Sequence, residues 1–95
     1  MIQFVDQELK VSGKIDYDNA EQYYQLGIQQ IKQHAQFPLV VNLSELEHGS
    51  TLALAVFIRW LRQTPEAHSL AFKAVPEKMM KIIQSCHLEQ DLKLI

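Results

Sequence analysis

Residues 39–63 read LVVNLSELEHGSTLALAVFIRWLRQ, and the order of patterns within them decides the fold. Leu39-Val40-Val41-Asn42-Leu43 is a short, nearly unbroken apolar run after Pro38. Such a run predicts a strand buried on both faces, as in the middle of a covered sheet. Ser44 to Gly49 reads as a polar loop. Ser50 or Thr51 can then cap a helix, because a side-chain oxygen there accepts a bond from a free N–H of the first turn. The helix is predicted to run to about Gln63, with Pro65 preventing a longer one. Strand, loop and helix in this order form the repeating unit of an α/β sheet.

The flanking sequence repeats the unit. Leu70 to Val75 predicts another core strand, and Pro76 suits the first turn of a helix. That helix places Met79, Ile82, Ile83 and Cys86 on one face, and Leu92, Leu94 and Ile95 offer a last short strand. Toward the N-terminus, Ile2–Val5 and the alternating Glu8–Ile15 predict a hairpin around Asp6-Gln7. Gly13 inside the second strand suggests a bulge or a close backbone approach. Asp16, Asp18 and Asn19 are candidate caps for a helix from Ala20 to Gln33 or His34. Ala20, Tyr24, Gly27 and Ile31 share one face of that helix, with Tyr23 and Ile28 on its flanks. The order is ββαβαβα with a possible final β. It predicts one α/β domain over residues 1–95: a mixed sheet of four to five strands with helices packed on it, joined by right-handed crossovers.

The helix after Ser50 is more apolar than a covering helix needs. Leu54, Phe57, Ile58 and Leu61 follow an i, i+3, i+4, i+7 spacing and are expected to face the sheet. Leu52, Ala53, Ala55, Val56 and Trp60 then point partly or wholly elsewhere. Either flanking helices hide this excess, or a partner covers it. The second is the expectation taken forward, since Trp and Arg, here Trp60, Arg59 and Arg62, are enriched at binding hot spots.

The totals exclude several classes. The chain has 95 residues, 47% hydrophobic and 21% charged, with a formal net charge of -2. Those values fit one folded core and no basic footprint for nucleic acid. Cys86 is the single cysteine, so no internal disulfide is possible. Met1 to Lys10 contain no apolar run, so no signal peptide is expected. The longest apolar run, Leu52–Ile58, is far short of a bilayer span. A cytoplasmic location and no direct membrane insertion are therefore expected. His34, His48, His68 and His87 lack the spacing of a metal motif, and His48 stands out only for its place in the loop before Thr51. Gly13, Gly27 and Gly49 build no phosphate-cradling loop. No catalytic residue, metal or cofactor is assigned.

Three stretches resemble the STAS family over nearly the whole chain. Val11-Ser12-Gly13-Lys14-Ile15-Asp16 is similar to its L-x-G-x-L-D strand-to-helix step. Val40-Val41-Asn42-Leu43-Ser44-Glu45-Leu46 resembles its central strand, and Glu47 to Ala55 falls where the family has its loop and helix start. Within the family, Ser50-Thr51-Leu52-Ala53-Leu54-Ala55-Val56 is most similar to the D-T-G-G-L-A-L-L run of the STAS subunits of Mla-type phospholipid ABC transporters. Thr51 matches the hydroxyl position and Leu54-Ala55 the Leu-Ala. Asn42 and Ser50 stand in place of Asp, and Leu52 and Ala53 in place of glycines.

The resemblance implies a non-catalytic cytoplasmic subunit, peripheral at the Gram-negative inner membrane. It would bind and stabilise the ATPase of a phospholipid ABC transporter, in a complex with a membrane permease that maintains outer-membrane lipid asymmetry. The implied partner surface is Ser50, Thr51, Leu52, Ala55, Val56 and Arg59, with His48 and Gly49 at its rim. Thr51→Glu or Val56→Asp is then expected to weaken binding without unfolding the domain. The alternative implied by the family is an anti-sigma-factor antagonist switched by phosphorylation at Thr51 or Ser50, which adds charge at a helix N-terminus.

Overall fold

The computed structural model describes residues 1–34, 38–64 and 69–95. Pro65 and His68, which entered the sequence reading as a helix stop and a surface histidine, lie outside them. The elements are β1 (Ile2–Val5), β2 (Glu8–Lys14), α1 (Ala20–Gln33), β3 (Leu39–Glu47), α2 (Thr51–Arg62), β4 (Leu70–Lys73), α3 (Glu77–Ser85) and β5 (Lys93–Leu94). They form a mixed five-stranded sheet in the order β1-β2-β3-β4-β5. The expected α/β architecture is borne out, including the last short strand.

β1 and β2 pair antiparallel as a hairpin, with Val5 opposite Glu8. Asp6 and Gln7 both take positive φ, 53° and 65°. Positive φ at both central residues matches the right-handed twist of the strands on either side. The remaining pairs are parallel, each joined through a helix. Alternation along the strands fixes which face is covered. Leu9 and Val11 of β2, Leu39, Val41 and Leu43 of β3, and Leu70 and Phe72 of β4 belong to the buried core shared with the helices. The intervening Glu8, Lys10, Val40, Asn42 and Lys73 are only partly buried or exposed.

The apolar run 39–43 is therefore not buried on both faces, as its composition suggested. Its second face is open and polar. There Asn42 Nδ2 donates to Glu8 Oε1 at 3.0 Å, Lys73 Nζ meets Glu8 Oε2 at 2.9 Å, and Lys10 meets Glu45 at 3.4 Å. Val40 is half-buried there, and the small side chain of Ala71 opposite it is buried outside the main core.

β3 also runs further than the sequence indicated, through Ser44 to Glu47 instead of turning to loop after Leu43. Lys10 pairs with Asn42, but Ser12 pairs with Glu45, so β3 carries one more residue than β2 across this step. Such a bulge breaks the alternation that a sequence pattern relies on. Gly13, expected to mark a bulge or a close approach, does the second: the Tyr23 hydroxyl packs against it. β4 ends earlier than expected, at Lys73, because Ala74 turns to a φ of 57°. Pro76 is the N-cap of α3 and not its first helical residue, with Met79 and Ile83 buried below it and Cys86 exposed.

Candidate partner-binding surface

The start of α2 is built by its cap. Ser50, in extended conformation, accepts a hydrogen bond at Oγ from Ala53 N at 3.1 Å. That bond satisfies one of the free donors of the first turn. Of the two candidate hydroxyls, Ser50 is thus the cap. Thr51 follows as the first helical residue, exposed, and its hydroxyl makes no hydrogen bond among the described residues.

The two residues before the cap differ. His48 is exposed and takes a φ of 51°. Gly49, expected at an open rim, is buried instead. A Cβ on Gly49 would stand 3.0 Å from Met79 N and Cβ, a tight contact, so glycine lets the loop lie close against the first turn of α3. Gly49 fixes where the cap sits and presents little surface of its own.

Along α2, the apolar excess is mostly accounted for inside the molecule. The helix touches both α1 and α3. Ala53, Leu54, Val56, Phe57 and Trp60 are buried, while Ile58 and Leu61, expected to face the sheet fully, are half-buried. Trp60, expected to point elsewhere, has no exposed surface. Its Nε1 donates to the Tyr24 carbonyl oxygen of α1 at 3.1 Å. Its ring fills the place where Gly27 has no side chain: a Cβ there would meet ring carbons at 2.2 Å. Phe57 links this joint to the sheet, 5.2 Å from Trp60 and 5.7 Å from Phe72 between ring centroids. Val56 is 2% exposed, which corrects its assignment to the open face. A Trp on one helix opposite a Gly on the next was the signal available in the sequence, but spacing within one helix does not show it.

What remains open is a narrow stripe. Thr51, Ala55, Arg59 and Arg62 are exposed, with half-buried Leu52 and Ile58 beside them. Thr51, Ala55 and Arg59 lie one turn apart on one face. Arg59 closes the stripe against α1. Its guanidinium lies 3.7 Å from the Tyr24 ring centroid, and it donates to Glu21 at 2.9 and 3.5 Å. The hydrogen bond with Glu21 raises the Arg59 pKa and lowers that of Glu21 from their ordinary values. Arg59 thus stays exposed while its head is held against α1.

The loop before α1 is organised differently from the expectation of three interchangeable caps. Asp16 Oδ1 accepts from Asp18 N at 2.9 Å and Asn19 N at 3.1 Å. Asn19 Oδ1 accepts from Asp16 N at 2.8 Å, and its Nδ2 donates to Lys14 O at 2.8 Å. Asn19 is the N-cap by position but forms no side-chain cap bond. Among the described residues, no group of three or more His, Cys, Asp or Glu is placed to hold a metal ion, and no helix is long and apolar enough to cross a membrane.

A stripe of this kind, with a small side chain at its centre and no polar group gathered for chemistry, is suited to contact with another macromolecule. The STAS_2 family model, described as "Mlab, STAS domain", matches residues 1–95. Two solved structures of the Acinetobacter MlaFEDB complex, in ATP-bound Vtrans1 and Vtrans2 conformations, each contain a chain 61% identical to this one. Those matches cover 100% of both chains, with TM-scores of 0.92 and 0.91. An anti-sigma factor antagonist from Mycobacterium paratuberculosis is 21% identical, with 99% of this chain and 81% of that chain covered and a TM-score of 0.77. That likeness is one of fold. A comparison with curated proteins found no match.

Proposed function

The chain belongs to the STAS_2 family, the MlaB-type STAS domains, and from that membership we propose that it is a non-catalytic subunit of an Mla-type phospholipid ABC transporter. In this reading residues 1–95 act as one domain, which binds the ATPase of a complex that also holds a membrane permease. The observation that carries the reading is the 61% identity, over the full length of both chains, to a chain of the MlaFEDB complex. The protein would lie on the cytoplasmic side of the inner membrane, held there by its partner.

The exposed stripe of α2 supplies the contact. Thr51 offers a hydroxyl that the fold itself does not consume. Ala55 lets a partner backbone or side chain approach closely, and Leu52 gives partly buried apolar area beside it. Arg59 bounds the contact, His48 and Ser50 flank the helix start, and Gly49 sets the loop from below. Val56 contributes through the core. A protein that binds the assembled ATPase more tightly than its separated subunits stabilises the assembly by mass action. ATP hydrolysis and phospholipid movement belong to the other subunits.

The test is a mild-detergent pull-down of the tagged chain from its native cell, with wild type and Thr51→Glu compared. An ABC ATPase recovered with its permease by wild type, and lost by Thr51→Glu with an unchanged melting temperature, is the expected result. The exposed Thr51 hydroxyl is also accessible to a kinase, whereas Ser50 is held in its cap. Recovery of a small kinase without a transporter, and phosphate on Thr51, would sink the transporter reading in favour of a signalling switch.

A further inference from the structure

The β2–α1 turn leaves the same edge of the sheet as the loop before α2. β2 and β3 are parallel and Lys14 pairs with Glu47, so residues 15–19 and 48–50 emerge side by side. At the tip of the first stands Tyr17, 93% exposed, the most exposed large apolar side chain among the described residues. The bonds that Asp16 and Asn19 exchange with the backbone on both sides hold this tip in one shape. Tyr17 forms none of the described hydrogen bonds and lies outside the core. A tyrosine held on a preformed turn offers large amphipathic area with little conformational freedom left to lose on binding.

We infer that Tyr17 is a second anchor for the same partner, docking beside Thr51 on a basic surface of the ATPase subunit. This inference rests on the reading of α2 as the ATPase-facing element. The sign of the partner surface comes from the side chains around the turn. Asp18 and Glu47 are exposed there, with Asp16 beneath them. Against them stand exposed Lys14 and the Met1 ammonium, which donates to Ser12 O and the Tyr23 hydroxyl, so the acidic groups of the turn outnumber the cations by one. At the far end of the α2 stripe the exposed charges are Arg59, paired with exposed Glu21 of α1, and Arg62. The surface therefore runs from an acidic excess of one at the Tyr17 rim to the excess cation Arg62, unpaired among the described residues, at the end of the helix. Charge complementarity of this kind fixes the register in which two proteins dock.

The experiment titrates the full-length chain against the purified ATPase–permease complex lacking it, at two salt concentrations. Tyr17→Ser is expected to raise Kd about tenfold, while Tyr17→Phe keeps most of the affinity. Asp18→Lys is expected to slow association and to flatten its salt dependence. Melting temperatures of the exposed variants should match wild type. If Tyr17→Ser and Asp18→Lys bind as wild type while Thr51→Glu does not, α2 is the contact and the turn has no part in it. If Asp18→Lys tightens binding, the partner surface has the opposite sign and the inference is overturned. If wild type itself fails to bind, the reading of α2 falls, and this anchor falls with it.

Discussion

On the side of α2 turned toward the sheet and α1, Val56, Phe57 and Trp60 are sealed into aromatic and aliphatic packing; on the side turned to solvent, Thr51, Ala55 and Arg59 form a stripe only one residue wide. Large apolar residues fill the first side and Thr, Ala and Arg the second, yet Val56 and Ala55 are neighbours in sequence on opposite sides. What separates them is the neighbour. Gly27 of α1 lets the Trp60 ring pack against that helix, and among the described residues nothing comparable covers Ala55. Apolar excess on a helix thus marks two different things here, a tight helix–helix joint and a surface left for another protein.

The comparison breaks most visibly on its buried side. Trp60→Ala should cost about 3–5 kcal/mol, since it removes a large buried ring and leaves a cavity. Urea unfolding of the purified variant measures it, and a loss below about 1 kcal/mol would mean that the joint with α1 is loose. Val56→Asp belongs to the same group. It places a carboxylate in the core without a partner, so it should unfold the domain, contrary to the expectation that it would affect binding alone. Soluble, folded Val56→Asp with a wild-type melt would return Val56 to the open side.

A smaller effect sharpens the difference between the two adjacent hydroxyls. Ser50→Ala should lose about 1 kcal/mol with the cap bond. Thr51→Ala should stay within about 0.5 kcal/mol of wild type, as exposed substitutions do. Equal losses for both would remove the distinction between a hydroxyl used by the fold and one left for a partner. The smallest effect tests the same contrast on the sheet. A hydrogen bond from Lys73, and then one from Asn42, hold the Glu8 carboxyl below the usual glutamate range. The folded chain therefore takes up that proton less readily than the unfolded chain. The stabilisation is present above the unfolded pKa and is lost as pH falls through the lowered folded value. Glu8→Gln should flatten the acid limb of a stability–pH curve slightly, and an unchanged limb would mean that the open face contributes nothing there.

Much of this was legible in the sequence. Alternation and helical spacing located every element, and the resemblance of residues 11–16, 40–46 and 47–55 to STAS domains pointed to the family. The misreadings share one cause: local pattern does not show what lies across the gap. The run 39–43 looked buried on both faces because Val40 is apolar, yet all-round covering requires a second layer that the strand order does not supply. The extra residue of β3 shifted the alternation, so Leu46 looked like part of a loop although it is a buried strand residue. Val56 and Trp60 looked surplus because their partners are on α1 and in the core. Gly49 was placed at the rim because its contact with Met79 joins residues thirty positions apart. Thr51, Ala55 and Arg59 were among the residues the resemblance put on the partner surface, but so was Val56, which lies on the buried side.

The strand order has a consequence for how the molecule is made. Each strand pairs with the one that precedes it in the chain, from β1 through to β5. Every new piece therefore finds its docking edge already in place, one crossover behind it, and no strand has to wait for a later one. Contacts between segments near in sequence favour rapid folding. A chain ordered in this way can assemble from its N-terminus as it leaves the ribosome. The edge exposed at each moment is the one the next segment is about to cover.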